Sequence, residues 1–268
     1  MERSYGILNA GDGAWAFEEH AQRLSRILGA EIITKPREFN YVLSLEDEGL
    51  PEFAQSFIPL ASLLLASDKR LLATAFQEHG VATPATILAE DAAEVMDIVR
   101  ENGQCKWCLK WPIGCGGSGH RVIETAAAIP ADWPRPYVVQ EFIPMTSPEV
   151  YRIFGCEGEI FGWLARKFPE DTAASPWVSH ARGARYVSYG SAPIEAQTQA
   201  RLALKATGLL DSFGCVDLIA RPSGEWLVLE VGSDGVYNHV DRDIGDLELV
   251  REIEERLGQC FQSLRKSY

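Results

Sequence analysis

The sequence predicts an α/β protein organised as α+β lobes, and three features carry that prediction. Short apolar runs with strand character alternate along the chain with segments of helical spacing. A glycine loop, Gly114–Gly119, follows closely on a strand that carries Lys110 near its end. Near the end of the chain, Gly214–Asp234 reads as two strands, Cys215–Ala220 and Trp226–Val231, joined by a turn containing Pro222-Ser223-Gly224. Asp217 and Glu230 interrupt these apolar runs, and a hairpin centred near Ser223-Gly224 sets them on neighbouring rungs. Two carboxylates that close repel each other unless a cation lies between them. Their oxygens suit a hard cation such as Mg²⁺, which keeps waters and shares its shell with nucleotide phosphates. The plain alternative is a hairpin whose acids face solvent.

Taken in order, Tyr5–Ala10 is an apolar strand ending in Asn9-Ala-Gly-Asp-Gly13. Ala16–Leu28 has helical spacing at Phe17, Leu24, Ile27 and Leu28 and is closed by Gly29. Glu31–Thr34 and Tyr41–Leu45 supply two more strands. Only Lys35–Asn40 separates them, so this βαβ unit lacks a second crossover helix. Gly11-Asp-Gly13 is a tight turn and not a dinucleotide fingerprint. Ser56–Leu60 leads to a helix capped by Ser67 or Asp68, running to about His79 and stopped by Gly80. Lys69 therefore falls in the first turn, where a cation opposes the helix dipole at a cost of roughly a few tenths of a kcal/mol. That cost points to an outside anion, with a solvated surface lysine as the cheaper explanation.

Val81–Pro84 opens the next lobe, followed by a helix at about Ala92–Asn102 and a strand at Trp107–Trp111. Four glycines in Gly114–Gly119 free backbone N–H groups to approach anionic oxygens, with Lys110 in reach of the same phosphates. No Gly-Lys-Ser/Thr follows, so this is not a Walker A loop. Pro130–Pro136 is loose and leads into the strand Tyr137–Phe142, which Pro144 ends. Glu149–Phe154 and Glu159–Ala165 form a hairpin about Gly155-Cys-Glu-Gly158, carrying Glu149 and Arg152, with Arg166 and Lys167 just beyond. Asp171–Tyr189 is polar, lacks clear periodicity and carries His180, Arg182 and Arg185. It reads equally as a mobile loop over a site and as a solvated charge run. Helices follow at Glu195–Thr207, stopped by Gly208, and at about Asp246–Leu264, apolar at Leu249, Ile253, Leu257 and Phe261.

With 268 residues, 46% of them hydrophobic, the chain can bury a large core in two or three lobes. A formal charge of -13 and a pI near 4.9 argue against nucleic acid or an anionic membrane as the main partner. No apolar run approaches the roughly 20 residues that span a bilayer. Met1-Glu-Arg-Ser-Tyr5 lacks the apolar core of a secretory signal, so a cytoplasmic location is expected. The six cysteines are expected to be reduced. Cys105-Lys-Trp-Cys108 has metal-knuckle spacing, but no second pair completes four zinc ligands.

Five motifs stand in a telling order: Asp68-Lys69, Lys110 with its glycine loop, Gln140-Glu-Phe-Ile143, Glu149 before the Arg152 strand, and the Asp217/Glu230 hairpin. Together they resemble the ATP-grasp superfamily, of the carboxylate–amine ligase type that includes RimK-like and D-alanine–D-alanine ligase-like enzymes. The resemblance covers about Ser56 to Leu264 and implies two α+β lobes clamping ATP. It implies a shortened N-terminal βαβ domain over 1–65 and an ATP-grasp domain over 66–268, with a central lobe at about 81–139 and a C-terminal lobe at about 140–268. By the same resemblance, Lys69 and Lys110 contact ATP phosphates, the backbone of Glu141, Phe142 and Ile143 pairs with adenine, and Glu149 holds the ribose. Gly114, Gly116, Gly117, Ser118 and Gly119 close over the phosphates, while Asp217 and Glu230 bind Mg²⁺, with Mn²⁺ as a substitute.

Two departures stand out. The family's Glu-x-Asn is here Glu230-Val-Gly232, leaving Ser233, Asp234 or Asn238 to complete the metal shell. Some relatives place an arginine two positions before the aspartate, where Cys215 stands; Arg152, Lys167, Arg182 and Arg185 are the available catalytic cations. The implied reaction activates a substrate carboxylate as its acylphosphate, releasing ADP, and joins it to an amine, with positioning and charge neutralisation as the protein's task. The alternatives are a kinase on the same fold and a nucleotide-binding module with little turnover. Small-molecule or peptide acids and amines are the expected partners, with homo-oligomer formation left open. Specificity is expected in the N-terminal domain and in Asp171–Tyr189. Trp133, Trp163 and Trp177 are candidates to line a pocket, weighed against simple packing.

Overall fold

The computed structural model describes residues 3–46, 49–114, 119–123, 129–145, 147–171, 175–233 and 247–267. The chain opens with strand β1 (Tyr5–Asn9), whose last four residues are buried. Helix α1 (Glu18–Leu28) lays Ala21, Leu24 and Leu28 on the core and ends at Gly29, whose φ of 60° is the left-handed cap. Strands β2 (Ile32–Ile33), β3 (Phe39–Ser44) and β4 (Gln55–Ser56) complete a parallel sheet of order β2-β1-β3-β4. The link from β2 to β3 holds no helix, as its length requires.

Next come helices α2 (Leu60–Ser67) and α3 (Lys69–Glu78). Sequence periodicity does not reveal α2: Leu-Ala-Ser-Leu-Leu-Leu-Ala-Ser is apolar on every side, so no polar face marks its turns. Asp68 is the cap of α3, accepting from the Arg70 N–H at 2.9 Å, whereas Ser67 closes α2.

The central lobe contains β5 (Thr86–Ala89), α4 (Ala92–Glu101), β6 (Lys106–Lys110), β7 (His120–Ile123) and β8 (Tyr137–Phe142). Its antiparallel sheet has the order β5-β8-β6-β7. Val95 and Ile98 of α4 pack on Trp107, Leu109, Tyr137 and Val139.

The third sheet is built from β9 (Glu149–Cys156), β10 (Glu159–Lys167), β11 (Arg185–Ser188), and, after helix α5 (Ile194–Ala206), β12 (Phe213–Ala220) and β13 (Trp226–Gly232). The order is β11-β10-β9-β12-β13. Glu157 and Gly158 at φ 48° and 78° make the two-residue turn between β9 and β10, a type I′ signature. The expectation of an unpatterned loop over Asp171–Tyr189 is corrected at its end. Arg185–Ser188 is an edge strand on β10, too short and with one buried tyrosine, Tyr186, to show a period. Helix α6 (Leu247–Ser267) returns to the start of the chain, where Phe261 meets Phe39 at 5.1 Å and Phe57 at 5.4 Å. Arg23 and Glu254 pair at 2.7 Å beside that contact, so one core joins the first and third sheets. Among the described residues no helix is long and apolar enough to cross a membrane.

Candidate active site

Strand register gathers charge on one face of the third sheet. Asp217 pairs with Arg152 of β9 on one side and with Glu230 of β13 on the other, so the two carboxylates share a rung. Arg166 of β10 pairs with Val150 and with Tyr186, which puts it on the same face as Arg152. Arg152 donates from Nε to Asp217 Oδ1 at 2.7 Å and from Nη2 to Oδ2 at 3.0 Å, and Arg166 Nη2 donates to the same Oδ2. Both guanidiniums lie over the Tyr186 ring, at 5.7 and 5.6 Å from its centre. Burial opposes ionisation of Asp217, but the charges and hydrogen bonds of the two arginines outweigh it and hold the carboxyl below its ordinary range. Arg166 Nε is buried and has no hydrogen-bond partner among the described residues.

This face forms one side of two adjoining cavities. The first runs along the central sheet, with Phe142 and Ile143 at the end of β8 and Lys110 at the end of β6. Lys110 is only 8% exposed. Among the described residues its ammonium donates to none, and burial lowers its pKa. Lys69 reaches the same cavity from α3, its Nζ donating to Gly114 O at 2.8 Å and its N–H to Pro112 O at 2.9 Å. A Cβ on Gly119 would stand 2.3 Å from that of Trp111, whose N–H donates to Gly119 O at 2.7 Å; the mouth of the loop closes only with glycine there. Gly116, Gly117 and Ser118 lie outside the described residues. His120 is pushed down to about 3 by burial and then by Lys110, Lys69 and Arg182, so it is neutral at pH 7. Trp177 meets His120 and Phe142 edge-on at 5.1 and 5.2 Å and covers this cavity. Trp133 and Trp163 pack instead, against Trp111 and Tyr151.

The second cavity, of about 460 Å³, shares Lys69, Gly114, Arg166, Asp217 and Glu230 with the first and adds Arg152. Lys167 and Arg185 belong to the opposite face: they pair with each other, and Lys167 lies over the Tyr189 ring. Glu149 is on that face too, held by Tyr151 Oη at 2.5 Å and Ser147 Oγ at 3.2 Å, and lines neither cavity. Arg182 is exposed, and its charge acts on His120. The cation that sequence reading passes over is Arg166. Counting across the Glu157-Gly158 turn sets Arg152 opposite Trp163 and so chooses Lys167, but a bulge between Phe161 and Leu164 shifts the register by one, sets Leu164 opposite Arg152 and brings Arg166 onto the face.

The sequence matches the ATP-grasp domain over residues 66–233, more than half of the chain. The chain belongs to the ATP-grasp family. No curated protein matches it. Among solved structures, this ATP-grasp chain resembles the ATP-grasp ligase PsnB complexed with minimal precursor, at 14% identity and a TM-score of 0.69, covering 98% of this chain and 99% of that one. It also resembles D-alanine–D-alanine ligase from Bacillus anthracis, at 12% identity and 0.70, with 98% and 99% covered. D-cycloserine synthetase DcsG follows at 17% identity and 0.68, with 95% and 100% covered. At these identities the likeness is one of fold.

Both departures from the ATP-grasp pattern fall on one rung, Cys215 opposite Gly232, two rungs from Asp217–Glu230 and on the same face. The place where some relatives carry an arginine is therefore without charge, and the guanidiniums at Asp217 come from β9 and β10, as Arg152 and Arg166. A second ion pair ties the ATP-grasp lobes together. Arg221, at the end of β12, donates to both oxygens of Glu141 on β8, at 2.8 and 2.6 Å. Glu141 also donates its N–H to Ala85 O, while Phe142, in register with Lys106 of β6, and Ile143 line the cavity. Loss of a bidentate charged pair costs about 1.5–3 kcal/mol. Arg221→Ala should weaken ADP binding about tenfold by calorimetry, and Arg221→Lys, which lacks the fork, should recover only part. Unaltered affinity in Arg221→Ala would remove this latch from the account.

Proposed function

We propose that this chain is an ATP-dependent ligase that activates a carboxylate as its acylphosphate and joins it to an amine. The observation that carries the proposal is a buried ammonium, Lys110, without a partner among the described residues, lining the same cavity as Arg166, whose buried Nε also has no hydrogen-bond partner among those residues. Unpaired buried cations are costly and call for an anionic ligand. Bound ATP would supply the phosphoryl group, and Mg²⁺ would shield its charge. Lys69, Lys110 and the Gly114 end of the loop would hold the phosphates, with the Phe142–Ile143 segment meeting the base. Arg152 and Arg166, fixed by Asp217, would hold two anionic groups together that otherwise repel. Among the described residues no group of three or more metal ligands gathers here, so Glu230 would hold a divalent cation jointly with the phosphates. Asp217 is the second carboxylate on the rung, but three of its acceptor sites are already engaged by arginines. Its main task is then to position the guanidiniums. Asp234 and Asn238 lie outside the described residues.

The test is ADP release from ATP and Mg²⁺ with carboxylic acids and hydroxylamine. Acid-dependent ADP with matching hydroxamate supports the ligase. ADP release indifferent to acid, or a stable phosphorylated product that hydroxylamine leaves intact, would overturn it.

A further inference from the structure

The second cavity is two-sided, and its two sides differ in chemistry. One side is the sheet face already described, with Arg152, Arg166, Asp217 and Glu230. The facing side comes from α2, α3 and the segment after β6; its apolar members are Leu63, Ala66, Leu72 and Ile113, and its one cation among the described residues, Lys69, is turned to Gly114 O. The only hydroxyl α2 brings there, that of Ser67, donates to Leu64 O at 2.9 Å, inside its own helix. Ile113 is 58% exposed, yet it is pinned in place by a bridge to Asp68, so a bare isoleucine is held at the cavity wall. Helix α2 shows the same excess, with Leu64 67% exposed and only Ser62 buried along its length. Apolar surface kept open beside a fixed pair of guanidiniums is complementary to one kind of molecule, which has an anionic head and an apolar tail.

We infer that the acid taken by this site is a monocarboxylic acid with an apolar chain, its carboxylate against Arg152 and Arg166 and its chain against Leu63, Leu72 and Ile113. The inference rests on the ligase reading and narrows it. A cavity of about 460 Å³ admits a chain of several carbons; with Lys69 given to the phosphates, a second carboxylate on that chain would lie against Leu63, Leu72 and Ile113 without a partner.

The experiment is a homologous series of straight-chain monocarboxylic acids from two to eight carbons, each compared with the dicarboxylic acid of equal length, with N-acetyl-leucine against N-acetyl-aspartate as a second pair. ADP release is read with ATP and Mg²⁺ on the full chain. Each buried methylene should raise kcat/KM about fourfold until the cavity is full, each dicarboxylic acid should fall at least tenfold below its partner, and N-acetyl-leucine should exceed N-acetyl-aspartate. Ile113→Asp, at an exposed position that should fold, is expected to flatten the rise with chain length. A flat series, or a preference for the dicarboxylic acids, would overturn the inference and leave the ligase reading standing. ADP bound by calorimetry but released with no acid of any kind would overturn the ligase reading and this inference with it.

Discussion

Replacing Asp217 by asparagine will destabilise the protein by about 3–5 kcal/mol, the cost of removing one partner from a buried ionic group. The substitution keeps the shape of the side chain and leaves two buried guanidiniums, Arg152 and Arg166, facing a neutral amide. For a chain of this length the midpoint should fall on the order of 10 °C, read by thermal unfolding at pH 7. The pH dependence gives an independent reading. The Asp217 carboxyl titrates below its ordinary value in the folded chain, so the stability it contributes is present above the unfolded value and is lost as pH falls through the folded one. The parent should therefore lose its advantage over Asp217→Asn on acidification below about pH 4. Equal midpoints at pH 7 would mean that the two arginines have other counter-charges and that Asp217 does not organise the site.

Lys110→Met should have effects of opposite sign in the empty and the liganded protein. Burial already disfavours the Lys110 ammonium, and among the described residues no carboxylate lies within ion-pair distance. Removing the charge should raise the thermal midpoint without ligand. It should also weaken ADP binding by about a hundredfold, since hydrogen bonds to charged groups are worth about 1.5–3 kcal/mol each. The exposed Lys35→Ala serves as the control and should change neither. A variant that lost stability but kept its affinity would make Lys110 a structural residue and would sink the phosphate assignment. One that gained stability and lost affinity would be the trade-off expected of a binding site.

The sequence by itself determined the hairpin of Asp217 and Glu230, the glycine loop after Lys110, the capped helix at Lys69 and the ATP-grasp family, because these are local patterns. A cap, a turn and a period of two are written in neighbouring residues, and their order along the chain names the fold. Which side chains face the cavities was decided only by tertiary structure. Lys167 and Glu149 carry the expected charges but fall on the wrong face of their strands, while Arg166, one residue before Lys167, falls on the right one. A bulge of β10 against β9 fixes that outcome, and no count along the sequence contains it. Helix α2 escaped for the reverse reason. Its pattern is uniformly apolar, and the contrast that reveals a helix exists only when one face meets a core and the other meets water. Here one side of α2 instead faces a cavity, which only the folding of the third sheet against it creates.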